Sequence, residues 1–281
     1  MKLATVHTPE GTRVAVDDGT RTRVLDVSTM SSALSLGVLD DPASFSGREV
    51  DGLESLELAA AVTDPGKVFC VGLNYREHIL EMGKELPAYP DLFAKFAEAL
   101  IGPQDEIQLD SAVEQWDWEA ELVIVIGREV RHADEATAAR AIAGYTVGND
   151  ISARDWQWRV SQWVTGKTFE ATSPIGPWIV TPDEFDPSSD AAITTHVDGV
   201  EKQRSKTSEL LFTPVALVQY LSSVITLKPG DIIFSGTPGG VGSGRVPQEQ
   251  LSPGSVVTVA IEGIGECRNV CSEPSPVMRA R

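Results

Sequence analysis

Histidine and cysteine are scarce in this chain, with four of one and three of the other in 281 residues. His7, His78, His132 and His196 are too scattered to build a histidine-rich metal centre. Cys70, Cys267 and Cys271 are odd in number and follow no disulfide framework, which points to free thiols in a reducing compartment. The step from Cys267 to Cys271 is also not the C-x-x-C of a zinc knuckle. Positive charge is short: 23 Lys and Arg face 41 Asp and Glu, a net −18. That balance argues against nucleic acid and against anionic membrane surfaces, both of which attract basic patches. No run approaches the roughly 18 apolar residues of a membrane span. The opening Met-Lys-Leu-Ala-Thr-Val lacks the apolar core of a secretory signal, so a cytoplasmic protein is expected.

Several catalytic signatures are missing as well. There is no G-x-S-x-G elbow. Gly166-Lys167-Thr168 lacks the upstream glycine of a phosphate-binding loop, because Ser161 stands there. The glycines between 239 and 244 lead into Arg245-Val246-Pro247 rather than a helix, so a close-approach loop is expected there, not a dinucleotide site. Strand and helix patterns do not alternate regularly, which excludes a doubly wound sheet.

What is present is rich in strands. Leu3 to His7, Thr12 to Val16 and Arg23 to Val27 predict a β-meander, and Asp64-Pro65-Gly66 marks a boundary. The expected organisation is a small N-terminal β-rich domain over 1–64 and a larger domain over 65–281. Within the second, strands are predicted at Val68–Val71, Leu122–Ile126, Tyr145–Asn149, Ile175–Val180, Ala192–Val197, Ile232–Ser235, Val256–Glu262 and Gly265–Val270. Helices are predicted over Ala133–Ala143 and Phe212–Val224. The class is α+β and strand-rich.

The most informative run is Asp117-Trp118-Glu119-Ala120-Glu121 followed by the apolar Leu122 to Ile126. It sets two carboxylates on one face where a buried strand begins. Such a pair needs water or a cation. Asp150 closes another strand; alone it reads first as a turn residue or helix cap. Three carboxylates together suit a hard cation, Mg²⁺ or Mn²⁺. His78 and Glu81 share a face of one helical turn, as a general base and its orienting acid or as a plain surface pair. Lys167 follows the aromatic run Trp156, Trp158 and Trp163, which could bury it as an electrostatic stabiliser.

Six motifs occur in order: Gly72-Leu73-Asn74-Tyr75 with His78 and Glu81; Asp117-Trp118-Glu119-Ala120-Glu121; Gly148-Asn149-Asp150 through Arg154 to Gln157; Gly166-Lys167-Thr168-Phe169; Pro174-Ile175-Gly176-Pro177; and Gly236-Thr237-Pro238 through Gly242. In this the chain resembles the fumarylacetoacetate hydrolase family over roughly 66–271. The resemblance implies a mixed β-sandwich roll with a divalent metal, Mg²⁺ or Mn²⁺, at its mouth on Glu119, Glu121 and Asp150. It implies His78 and Glu81 on a lid, the family lysine at Lys167, and substrate contacts from Arg154, Gln157 and Thr237. It also implies a homodimer. Two departures stand out: Glu170 where many relatives have Asp, and Phe96-Ala97-Glu98 in place of a proline-rich stretch after Lys95.

The expected reaction is metal-dependent hydrolysis of a carbon–carbon bond in an acylpyruvate, a 2,4-dioxo acid such as fumarylpyruvate, to pyruvate and a carboxylic acid. His78, oriented by Glu81, would activate the water and Lys167 would steady the oxyanion. The alternative is an oxaloacetate decarboxylase or a hydroxymuconate-type isomerase or decarboxylase on the same enolate chemistry. In each case the partner is a small anionic 2-oxo acid.

Overall fold

The structure, a computed structural model, describes residues 1–81 and 85–274, and of Glu77, His78 and Glu81 the backbone alone. Its frame is a long mixed sheet. The path runs Gly47–Val50, Thr22–Leu25, Gly11–Asp17, Lys2–Thr8, Ser173–Val180, Ile142–Asn149, Ala120–Ile126, Ile232–Phe234, Val68–Gly72 and Asp91–Lys95. A second sheet, ordered Val200–Lys206, Ala192–Val197, Val256–Ile261, Gly265–Ser272 and Ile107–Gln108, packs against it. This is the strand-rich roll expected of the family, and among the described residues no helix is long and apolar enough to cross a membrane.

The central strand Ala120–Ile126 is buried along its whole length. Leu122, Ile124 and Ile126 face the core between the two sheets, with Ile193, Val259 and Ile261. Val123 and Val125 face a second core, shared with Leu3, Val14, Leu25, Cys70 and Phe234. Two-sided burial is why the run reads as unbroken apolar rather than alternating. Glu121 keeps the period of Val123 and Val125, so it leaves the strand on the second face, at its end.

The opening meander forms where predicted, through Gly11 with φ 110°. Its first strand pairs directly with Ser173–Val180, Leu3 opposite Ile179, so the sheet runs on without a break across the 64–65 boundary. Several elements escape the sequence pattern, among them these three. Gly47–Val50 is an exposed edge strand carrying two charges. Asp91–Lys95 is five residues long and charged at both ends. Met30–Ser35 is a short helix capped by Thr29, whose hydroxyl accepts from Ser32 N at 3.3 Å.

Gly148 lies opposite Glu121 in the register. A Cβ there would come to 2.5 Å from Val123 Cγ2 and 2.7 Å from Phe234 Cε1. Gly148→Ala is therefore expected to destabilise the fold by about 1–3 kcal/mol. Urea unfolding measures this, and an unchanged midpoint would mean that the packing here tolerates a methyl group.

Candidate metal centre

Two strand ends build the site. Glu119 and Glu121 flank the start of Ala120–Ile126, and Asp150 follows the end of its neighbour Ile142–Asn149. The backbone stitches the ends together: Asp150 N donates to Glu119 O, and Glu119 N donates to Asn149 Oδ1, both at 2.9 Å. One carboxyl oxygen from each of Glu119, Glu121 and Asp150 lies within 4.8 Å of the others, and all three residues are buried.

Buried cations surround them. Lys167 Nζ lies 2.7 Å from Glu119 Oε2 and 2.9 Å from Asp150 Oδ2. Lys95 Nζ lies 2.6 Å from Asp150 Oδ1 and also donates to the carbonyl of Lys167. Arg154 Nη2 lies 2.6 Å from Glu119 Oε1, and its Nε 2.8 Å from Asp117 Oδ2. Burial alone would push the Lys167 ammonium towards neutrality, but Asp150 and Glu119 reverse this and hold it above the usual lysine range. Burial likewise drives the Asp150 carboxyl up, and Lys167 and Lys95 more than offset it, holding it below its ordinary value. Lys167 also sits 5.2 Å from the Phe93 ring centre, and Phe93 meets Trp163 edge to face at 5.5 Å.

Glu121 differs from the other two. Among the described residues, Gly236 N–H donates to its Oε2 at 2.6 Å. Burial pushes its carboxyl well above the usual carboxylate range, and Asp150 and Glu119 push it further. Four buried acids (Asp117, Glu119, Glu121, Asp150) thus face three buried cations (Lys95, Arg154, Lys167). The surplus negative charge falls on Glu121, which must carry a proton or meet another cation. An all-oxygen donor set with surplus negative charge fits a hard divalent ion.

The other predicted site residues are placed as follows. His78 and Glu81 lie on the helix Arg76–Glu81, and their side chains are outside the described residues. That helix starts from an anchored point: Asn74 Nδ2 donates to Ser235 O at 2.7 Å and Phe212 O at 3.0 Å, one residue from the Gly236 that touches Glu121. Gln157 is buried and accepts from Arg154 Nη1 at 2.9 Å. Thr237 Oγ1 accepts from Gln203 Nε2 at 2.9 Å. Lys95, Asp117 and Gln203 were not predicted. Asp117 shares the period of Glu119 and Glu121, a signal that could have found it. Lys95 ends a short strand and Gln203 comes from the second sheet, and neither stands out in the sequence.

Residues 67–272 match the family model described as fumarylacetoacetate (FAA) hydrolase C-terminal. The chain belongs to the fumarylacetoacetate hydrolase family. It is 43% identical over 229 residues to a fumarylacetoacetate hydrolase domain-containing protein 2 homolog of Dictyostelium discoideum, covering 77% of this chain and 74% of that one. It is 38% identical over 226 residues to a protein of Xenopus laevis named oxaloacetate tautomerase fahd2, mitochondrial, covering 80% and 71%. In structure it resembles the 5-carboxymethyl-2-hydroxymuconate delta-isomerase of Mycobacterium smegmatis, with a TM-score of 0.79 and 37% identity over 98% of this chain and 100% of that one.

A raised carboxyl pKa makes the metal-free fold pH-sensitive at Glu121. The folded state holds the proton to higher pH than the unfolded chain, so wild-type stability falls as pH rises above the unfolded value of 4.5 and through the raised folded value. Glu121→Gln lacks this loss. In metal-free protein its melting temperature should exceed wild type at pH 8, with the gap closing towards pH 5. A gap independent of pH would refute the assignment of surplus charge to Glu121.

Proposed function

We propose that this chain is a metal-dependent enzyme that forms the enolate of a small anionic 2-oxo acid, and that its reaction is keto–enol isomerisation. The carrying observation is the buried cluster of Glu119, Glu121 and Asp150 with the charged Lys167 between two of them. Names borne by two relatives, oxaloacetate tautomerase and a hydroxymuconate delta-isomerase, support an isomerising reaction. The three carboxylates would hold Mg²⁺ or Mn²⁺, which supplies positive charge for the carboxylate and carbonyl oxygens of the substrate. Lys167 is suited to steady the negative charge that moves onto the 2-oxo oxygen as a C3 proton leaves. His78, oriented by Glu81 one helical turn on, would take that proton and return it to oxygen or carbon.

Hydrolysis of an acylpyruvate is the second reading, and the His78–Glu81 spacing favours it because that pair suits activation of a water. The water would add to the C4 carbonyl, the C3–C4 bond would break, and C3 would take a proton, giving pyruvate and a carboxylic acid. Oxaloacetate, a hydroxymuconate-type dienol, acetylpyruvate and fumarylpyruvate separate the readings when each is offered with Mg²⁺ or Mn²⁺. Loss of enol absorbance without pyruvate supports isomerisation. Pyruvate release from an acylpyruvate would transfer the assignment to hydrolysis, and CO₂ from oxaloacetate to decarboxylation.

Chelator-stripped protein is expected to lose turnover and to regain it with Mg²⁺ or Mn²⁺; full turnover in excess chelator would refute a metal requirement. His78→Ala should lower kcat by roughly 10²–10⁴ while leaving Mn²⁺ affinity nearly unchanged. Adding Glu81→Ala to it should cost little more, because the two act as a unit. Wild-type kcat in His78→Ala would remove His78 from the chemistry.

A further inference from the structure

Asp117 stands two residues before Glu119, and all of its recorded partners are donors. Oδ1 accepts from Trp118 N at 2.8 Å and Gly242 N at 2.6 Å; Oδ2 accepts from Arg154 Nε at 2.8 Å and Ser243 N at 3.0 Å. The residue is 1% exposed. Gly242 and Ser243 belong to the glycine-rich stretch 239–244, which neither the metal cluster nor the proposed chemistry uses directly. Its backbone can reach the carboxylate because Gly242 has no side chain. A Cβ there would run into the Glu249 carbonyl and come to 2.8 Å from Asp117 Oδ1 and 3.0 Å from the Trp118 ring.

The far side of this carboxylate is Arg154. Its guanidinium spans three acceptors of the chain itself: Asp117 through Nε, Gln157 through Nη1 at 2.9 Å, and Glu119 through Nη2 at 2.6 Å. A continuous line of charge-assisted contacts therefore joins the glycine loop, Asp117, Arg154 and Glu119. Each bond fixes the direction of the next, because the guanidinium fork is planar and rigid.

We infer that Asp117 is a positioning residue that locks the 239–244 loop and Arg154 into one unit, and that this unit aims the carboxylate of Glu119 at the metal site. The inference rests on the reading of Glu119, Glu121 and Asp150 as metal ligands and on no particular reaction. An asparagine at 117 keeps the volume but turns one acceptor into a donor facing the Arg154 and Ser243 N–H groups. An alanine at 242 pushes the loop off the carboxylate without touching the ligands.

Mn²⁺ binding to the full chain, followed by the paramagnetic resonance signal of free Mn²⁺, tests this in wild type, Asp117→Asn, Arg154→Lys and Gly242→Ala. Each variant is expected to raise the Mn²⁺ Kd by roughly 10–100-fold, as loss of groups behind a metal ligand does. At saturating Mn²⁺ the KM for a 2-oxo acid should stay near wild type in Asp117→Asn and Gly242→Ala. A folded Asp117→Asn with wild-type Mn²⁺ affinity overturns the inference. So does an Arg154→Lys protein whose KM rises while its Mn²⁺ Kd does not, since that marks a substrate anchor. If Asp117→Asn fails to fold, Gly242→Ala and Arg154→Lys decide the matter by the same two readings. Wild type that binds no Mn²⁺ removes the metal-ligand reading and this inference with it.

Discussion

Seven ionisable side chains packed away from water are the constraint on which this fold turns. Asp117, Glu119, Glu121 and Asp150 would repel one another without Lys95, Arg154 and Lys167. Those residues arrive from separated parts of the chain. Lys95 comes from a sheet-edge strand, Arg154 and Lys167 from two short helical turns, Asp117 from the short strand Trp116–Asp117, and Glu119, Glu121 and Asp150 from the ends of two central strands. Charge balance therefore ties tertiary structure together at one end of the sheet. Loss of any paired group, Glu121 apart, leaves a buried charge without its partner, which is among the more costly defects a core can carry.

The proposed metal-binding carboxylates were legible because strand periodicity is a strong signal. Glu119 and Glu121 precede an unbroken apolar run, and the two-sided burial of Leu122 to Ile126 makes their direction readable. Asp150 was legible only beside them, since an acid at a strand end has plainer explanations. The opening meander and the long helix Pro214–Val224 also followed from pattern, the latter with Thr213 as its cap accepting from Ala216 N. Lys95 and Gln203 were not legible. Their roles depend on which strands become neighbours, and no local pattern carries that. Gln203 reaches from the second sheet to bond Ala120 N at 3.0 Å and Pro238 O at 2.8 Å, a link made only once the two sheets meet. The resemblance to the family supplied what periodicity lacked, by placing six weak motifs in one order.

Division of labour between the two sheets explains how such a site stays in place. The second sheet brings apolar residues to the shared core and a few polar contacts to the site, Gln203 among them. The long sheet carries the charged groups on its opposite face, above a core that includes Val123, Phe234 and Cys70. Burial beneath Asp150 pushes the Cys70 thiol well above its usual range, so it acts there as a small apolar residue rather than as a thiolate. The reacting end can then be polar without weakening either core.

Glu119 immediately precedes the strand that Glu121 belongs to, so their spacing is a property of one stretch of backbone. It is roughly 6.5–7 Å between α-carbons whatever ion is bound. Asp150 comes from the adjacent strand and is gripped from the side by Lys95 and Lys167. Two jaws of the vice are thus cast in a single piece, and the third is separately mounted. At the proposed metal site, ion size, which distinguishes Mg²⁺ from larger cations, would be accommodated through the mounting of that third jaw. The lysines that neutralise Asp150 thus also hold its carboxylate in place, so at the proposed metal site they would limit how far it moves towards an ion.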